Sequence, residues 1–333
     1  LHERVPREIS LLYGPNSISA PQARQRRRNP GLLREVLPGG SAVGATHVLS
    51  NGRYSVSLRA NGAGWSRWGQ TGITRWRDDA LRDDYGSFFY LRWDRQPHLV
   101  SLTQHPAPDA AAHYQAVYHA DRVCFKADWS ELHAKTTVWV SPEDDIEFRQ
   151  FEIRNLSEES IEVELFSAFE VTLSDSRADE AHPAFTNLFV RAKWLENDHA
   201  LLFERTPRLA TEQGLQAAHF LAETDPQVVG VRWITDRQNW LGRNRTTGQP
   251  LAAFETPLKN AQDFSDASGS LDTGLDPVCV LAVRLRIAPK AKAQLTFATT
   301  ASTNAGTLRA VIDKYRQPSH VQRASLMSAT LTG

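Results

Sequence analysis

The sequence predicts an all-β fold, a large antiparallel β-sandwich with a short C-terminal helix. Three observations lead there. Apolar residues alternate with a period of two in short runs, turn residues interrupt those runs at close intervals, and helical periodicity is nearly absent before the C-terminal end. The chain has 333 residues, 41% of them hydrophobic and 23% charged. That length can bury a substantial core in one large domain or two small ones.

The elements follow in order. Residues 1–47 carry Arg24, Arg26, Arg27 and Arg28 among scattered prolines (Pro6, Pro15, Pro21, Pro30, Pro38) and lack sustained periodicity. They read as a linker or surface strap, with the arginines as a solvated charge run. Residues 48–301 read as the sandwich. Leu132, Ala134, Val138 and Val140 alternate along one strand, and Ile146 and Phe148 begin another. Phe151 and Ile153 continue it after a phase slip at Arg149-Gln150, which predicts a bulge. The polar turn Asn155–Ser160 precedes Ile161, Val163 and Leu165, which predicts an antiparallel hairpin. Further strands are expected over Leu188–Ala192, Ala200–Glu204 and Val228–Ile234. Val278–Ile287 and Ala293–Thr299 flank Ala288-Pro289-Lys290 and read as a second hairpin. Residues 302–333 begin a helical linker. Across Thr303–Arg316, Leu308, Val311, Ile312 and Tyr315 share one helical face, Asn304 is placed to cap it, and Pro318 lies beyond its end.

Composition excludes several classes of function. Lys plus Arg and Asp plus Glu both number 38, so no global field draws the chain to nucleic acid or anionic lipid. No run is long and apolar enough to insert into a bilayer. Cys124 and Cys279 both lie in apolar strand-like runs and read as buried thiols rather than a bridge. Leu1 is no initiator and Met327 is the one methionine, which reads as a piece of a longer polypeptide. Phosphate loops, nucleophile elbows and His-Glu-x-x-His are absent from the sequence, and the 11 histidines have no ligand spacing. No metal and no cofactor are expected.

Carboxylate pairs matter because glycoside chemistry uses two of them. Candidates are Asp78-Asp79, Asp83-Asp84 and Glu143-Asp144-Asp145, the last reading as a solvated turn after Ser141-Pro142. The first two lie in a stretch where aromatics interleave with arginines and acids, from Asn51 to Arg92. That mixture suits a sugar, since an aromatic ring packs on the C–H face of a pyranose while Arg and Asp bind its hydroxyls. The same mixture suits a protein interior of buried aromatics and ion pairs.

One set of motifs has a family resemblance. It comprises Asn51-Gly52-x-Tyr54-Ser55, Gly62-x-Gly64-Trp65-Ser66-x-Trp68, Thr74-Arg75-Trp76-Arg77-x-Asp79 and Asp83-Asp84-Tyr85-Gly86. Val140–Asp145, Ala181-His182-Pro183-Ala184-Phe185, Asp236–Arg243, Leu275-Asp276-Pro277 and Ile287-Ala288-Pro289 follow in order. The set resembles glycoside hydrolase family 94, formerly glycosyltransferase family 36. Within it, the match is most like the C-terminal module of cyclic β-1,2-glucan synthases, over roughly residues 48–301.

The resemblance implies a galactose-mutarotase-like super-sandwich that precedes a catalytic (α/α)6 barrel in the same polypeptide. It implies inverting phosphorolysis of β-glucosides, with one barrel Asp as the acid. No residue of this chain inherits that role, so no catalytic residue is expected here. Implied partners are a β-glucan oligosaccharide, the barrel, and a second copy of the chain. The implied location is the cytoplasmic face of the bacterial inner membrane, as part of a larger membrane protein. Arg75, Trp76, Arg77, Asp83, Asp84 and Tyr85 become the first candidates for substrate or inter-domain contact. Arg237, Trp240, Gly242 and Arg243 come second, and His182 with Phe185 third. Each also fits an internal brace. The expected function is a non-catalytic carbohydrate-binding and architectural domain. The alternatives are an independent carbohydrate-binding module and a complete hydrolase using Asp78, Asp83 or Glu143.

Overall fold

A computed structural model describes residues 33–36, 45–77, 83–94, 96–207, 214–251 and 269–332. The Arg24–Arg28 cluster, most of the strap and the Asp78-Asp79 pair lie outside the described residues.

Two large antiparallel sheets face each other. The ten-stranded sheet runs β1 (Arg34–Val36), β8 (His113–Tyr118), β9 (Arg122–Asp128), β10 (Leu132–Val140), β11 (Ile146–Asn155), β19 (Lys292–Ser302), β15 (Gln216–Glu223), β14 (Ala200–Arg205), β13 (Val190–Leu195) and β17 (Gly269–Leu271). The nine-stranded sheet runs β16 (Val228–Asp236), β18 (Pro277–Ile287), β12 (Ile161–Asp175), β5 (Thr71–Thr74), β4 (Gly64–Trp68), β3 (Tyr54–Arg59) and β2 (Thr46–Ser50). Within it β6 (Phe88–Trp93) pairs with β12 and with β7 (Gln96–Ser101). The all-β sandwich expectation is therefore met.

The inner faces make the main core. Leu165 and Phe169 of β12, Leu281 and Val283 of β18, and Phe151 and Phe297 of the opposite sheet all belong to it. Phe89 packs on Phe151 with ring centroids 4.2 Å apart and on Phe297 at 5.4 Å. Burial of this kind contributes about 25 cal/mol per Å² of apolar surface removed from water.

The outer faces are also covered, and that corrects the expected bulge. β11 runs in unbroken register against both neighbours, with no bulge at Arg149-Gln150. Phe148 and Phe151 are both buried because they point to opposite faces. Phe151 enters the core between the sheets, whereas Phe148 lies on the outer face beneath Trp139 and Tyr315. A strand covered twice shows no clean alternation.

The two expected hairpins are arches. β11 lies in one sheet and β12 in the other, and β18 and β19 are divided in the same way. The arches sit side by side. Asn155 N donates to Ala291 O at 2.9 Å, and its side-chain amide donates to Ile287 O, Ala288 O and Glu159 O. Alternation in the flanking strands is the same for an arch as for a hairpin, so the local pattern could not separate them.

At the C-terminal end, α4 (Ala305–Tyr315) is capped by Asn304, whose side chain accepts from Thr307 N. Pro318 opens a further helix, α5 (Pro318–Thr332), where its missing N–H costs nothing. Leu308, Ile312, Tyr315, Val321 and Ala324 bury against the outer face of the ten-stranded sheet. None of the described helices is long and apolar enough to cross a membrane. Cys124 and Cys279 are buried and unbridged.

His219 lies wholly inside, with Nδ1 3.0 Å from Thr299 Oγ1 and its ring stacked 5.7 Å from Phe297. Burial, with the Arg149 charge adding to it, holds the imidazole pKa down to about 3. The folded state thus refuses a proton that the unfolded chain accepts below about 6.5, and stability is lost as pH falls from there toward about 3. We expect His219→Leu to flatten the pH dependence of urea unfolding. Relative to the wild type, it should recover about 2 kcal/mol at pH 5 compared with pH 7. Parallel curves for the two proteins would contradict this.

Candidate functional site

The outer face of β12 carries Phe166, Ala168 and then Glu170. Phe166 and Ala168 pack under Trp240 and Leu241. Glu170 comes after that apolar patch and receives two arginines.

Arg75 follows directly on β5. Its backbone N donates to Glu170 O at 2.9 Å. Its guanidinium donates to Glu170 Oε2 at 2.7 Å, to Asp179 at 3.0 and 3.2 Å, and to Asn187 Oδ1 at 2.7 Å. Only 6% of this side chain is exposed. Two short helices deliver the acceptors. In α1 (Ser176–Ala181), Asp175 caps the N-terminus by accepting from Arg177 N. In α2 (Pro183–Asn187), a proline sits in the first turn. Asn187 Nδ2 donates onward to Asp276 Oδ1 at 2.9 Å.

Arg237 opens α3 (Arg237–Leu241), which Asp236 caps by accepting from Gln238 N. Its Nε donates to Glu170 Oε1 at 2.5 Å, and Nη1 lies 3.6 Å from Asp276 Oδ2. Burial opposes the charge on Arg75 and on Arg237. The facing carboxylates, Glu170 first, outweigh it and raise both pKa values. Asp276 moves up instead, because burial outweighs the Arg237 charge.

A cavity of about 20 Å³ opens beside this brace, bounded by Arg75, Asp84, Tyr85, Tyr90, Arg237 and Trp240 among others. It has room for about one water. Burial pushes the Tyr85 phenol up, against the pull of Arg77. Tyr90 sits edge-on to Trp240 at 5.6 Å and donates to Thr247 O at 2.8 Å.

Five residues singled out from sequence therefore meet at one place: Arg75, Asp84, Tyr85, Arg237 and Trp240. Asp83 belongs to an adjoining clamp, where it accepts from Arg59 Nη1 at 2.8 Å and from Asn61 Nδ2. Arg59 also lies 4.9 Å from the centroid of the Trp76 ring. Gly242 ends α3 at φ 79°, and Arg243 is exposed in the turn that follows. His182 is exposed where α1 meets α2, and Phe185 is 43% exposed. Glu143 pairs with Lys314 and Arg323 of the C-terminal helices, so it is no free acid and its turn is not merely solvated.

The glycines of the opening motif have backbone reasons. Gly62 takes φ 97°, and a Cβ there would sit 2.2 Å from Thr103 Oγ1. At Gly64 it would sit 2.0 Å from Ser57 O. Sequence reasoning missed Glu170, Asp179 and Asn187 as partners of Arg75. Glutamates set among the apolar residues of β12 were the available signal. Among the described residues no cluster of His, Cys, Asp and Glu could hold a metal ion.

Fold and site define the class as a large antiparallel supersandwich with an ionic brace on one outer face and a helix pair on the other. The chain belongs to glycosyl hydrolase family 94 through its supersandwich domain, whose family model matches residues 41–318. It is 27% identical to the cyclic beta-(1,2)-glucan synthase NdvB of Rhizobium meliloti (strain 1021) over 321 residues, which is 96% of this chain and 11% of that protein. It is 24% identical to the N,N'-diacetylchitobiose phosphorylase of Vibrio proteolyticus over 237 residues, 68% of this chain and 28% of that one. The chain thus spans a small part of both curated relatives. Among solved structures, a bacterial glucoamylase complexed with acarbose aligns at TM-score 0.48 and 6% identity, over 90% of this chain and 40% of that one. A putative aldose 1-epimerase from Escherichia coli K12 aligns at TM-score 0.39 and 10% identity, over 78% of this chain and 99% of that one.

Removing Arg75 leaves buried Asp179 without the guanidinium that pairs with it and Glu170 with Arg237 alone, a change that typically costs about 3–5 kcal/mol. Arg75→Ala should lower the guanidinium midpoint accordingly. Arg75→Lys should recover only part, since an ammonium cannot serve both carboxylates with a planar fork. A loss below about 1 kcal/mol for Arg75→Ala would show that the brace is not structural.

Proposed function

We propose that this chain is a non-catalytic, architectural and glucan-contacting domain of a cyclic β-1,2-glucan synthase. It helps shape the glucan site of a phosphorylase-type (α/α)6 barrel in the same polypeptide, at the cytoplasmic face of the inner membrane. The observation that carries this reading is the state of the acids in the brace. Both oxygens of Glu170 accept from arginines, and both oxygens of Asp179 accept from Arg75. The cavity beside them, at about 20 Å³, is too small for a sugar ring. Inverting chemistry needs a protonated acid and a nucleophile on opposite sides of a bound glycoside, with carboxyl-sized groups about 6.5–9.5 Å apart. An occupied and closed brace supplies neither.

A rigid brace does suit a different task. It orders the loops that carry Tyr85, Arg243, His182 and Phe185, so that they meet a neighbouring surface in one geometry. The independent-module alternative is less well supported. Trp65, Trp68 and Trp76 each have an arginine near the ring, at 4.3, 5.6 and 4.9 Å from the centroid, and Trp93 is 3% exposed. No open aromatic platform is formed by these residues.

Two measurements test the proposal. The chain alone, given linear β-1,2-glucooligosaccharides and inorganic phosphate, should release no glucose 1-phosphate. In the longer polypeptide, Phe185→Ser with Arg243→Glu should reduce phosphorolysis about tenfold or more while the sandwich keeps its melting temperature. Turnover by the isolated chain, or full activity of the double variant, would refute it.

A further inference from the structure

We infer that a second carbohydrate-contacting site lies at the open end of the sandwich, where α4 passes into α5, and that it takes one pyranose unit. A cavity of about 370 Å³ lies there. That is roughly a dozen waters' worth of space and falls within the range of small-molecule sites, about 300–1,000 Å³. It is shared by both sheets and by the helix pair. Trp194 comes from β13, Leu221 and Glu223 from β15, Leu281 from β18, Arg316 from the turn between the helices and Pro318 from the start of α5.

Each wall has a structural cause. Trp194 is held by Trp233 of the opposite sheet, with rings stacked 3.9 Å apart at 12°, and its Nε1 donates to Glu196 Oε2 at 2.9 Å. That pair fixes the separation of the two sheets at this end. β15 changes register against β19 between Leu221 and Glu223. A bulge of this kind re-aims side chains and favours sites of function. Here it brings an apolar residue and an acid to one opening.

The rim is polar and carries both signs of charge. Glu223 accepts from Thr296 Oγ1 through Oε2 at 2.9 Å, and its second oxygen is outside that bond. Arg316 uses Nη1 to donate to Asn197 O at 2.6 Å, which engages one nitrogen of a five-donor fork. His199 is exposed in the β13–β14 turn at φ 46° and also lines the opening.

A pyranose matches this set. Its C–H faces suit the apolar wall of Leu221, Val231 and Pro318, the Trp194 ring being 7% exposed and stacked on Trp233, and its hydroxyls both donate to a carboxylate and accept from a guanidinium. A phosphate group would meet Glu223 as a like charge, and an acyl chain would leave the charged rim desolvated and unpaired. The site is separate from the Arg75 brace. It rests on the carbohydrate reading above for the choice of probe alone.

The test uses the intact chain and a β-1,2-linked glucose disaccharide, with maltose and inorganic phosphate as comparison probes. Ligand-observed NMR should give saturable binding with Kd on the order of 1 mM. Glu223→Gln and Arg316→Ala should each weaken it about fivefold or more, and Arg34→Ala, on exposed β1 at the other edge of the ten-stranded sheet, should leave it unchanged. In the wild-type protein, bound disaccharide should slow carbethoxylation of His199, read by peptide mass spectrometry. Absence of saturable sugar binding overturns the site, and so does an unchanged His199 rate at saturation. Sugar binding that survives both rim variants also overturns the site. Preference for phosphate over either sugar rejects the ligand class. The architectural proposal stands or falls on its own activity measurements in each case.

Discussion

The structure depends on a single constraint, the burial of β12 on both faces along nearly its whole length. Its inward residues Ile161, Val163, Leu165, Phe169 and Val171 belong to the core between the sheets. Its outward residues read Glu164, Phe166, Ala168, Glu170, with apolar residues flanked by acids. Water is excluded from that side too, so each acid needs cations. Glu164 accepts from Arg92 Nε at 2.9 Å and pairs with Arg232 at 2.7 Å. Glu170 takes Arg75 and Arg237. The candidate site is thus a consequence of covering the second face of one strand.

Such ion pairs are weak evidence of net stability, since desolvation offsets much of the attraction. Their effect here is on geometry. Arg75 draws its acceptors from β12, α1 and α2, and Arg237 adds α3 and the residue before β18. A loop displaced from this arrangement would leave a buried charge unpaired, so alternative loop placements are penalised more heavily than the native one is stabilised. That asymmetry is what a domain needs if it must present loops to a neighbour in a fixed position.

Much of the fold was legible because strand alternation is a local property. β10 is the clear case. Leu132, Ala134, Val138 and Val140 face the core as their spacing requires. Connectivity was less legible. Nothing within β11 or β18 distinguishes an arch from a hairpin, because the choice of sheet depends on pairing with distant strands. The glutamate in β12 and the arginine after β5 could each be seen as unusual, but their meeting is a tertiary fact. Trp194 and Trp233 carried no signal, since their stacking joins strands from different sheets. The two short helices that supply Asp179 and Asn187 were missed because each is under two turns long and held by caps and side-chain bonds rather than by periodicity.

The turn after β10 shows how few residues can tie distant parts together. Its three consecutive acids look like a solvated corner, yet all three are engaged. Glu143 pairs with Lys314 and Arg323, which holds α4 and α5. Asp144 accepts from Lys314 Nζ at 2.7 Å and from Tyr315 Oη at 2.8 Å. Asp145 turns the other way, accepting from Trp68 Nε1 at 2.7 Å and pairing with Arg53 at 2.5 Å. The same turn offers Ser141 O and Asp144 O to the Asn51 amide. One corner of the ten-stranded sheet therefore grips the helix pair with two acids and the nine-stranded sheet with the third. A rotation of the helices relative to the ten-stranded sheet would have to break the first set of bonds before it disturbed the second. Position along α4 and α5 is accordingly referred to the sandwich through this corner, while the brace on the far sheet refers its loops to the same framework through β12. The two outer faces are thereby registered to one another through the sheets.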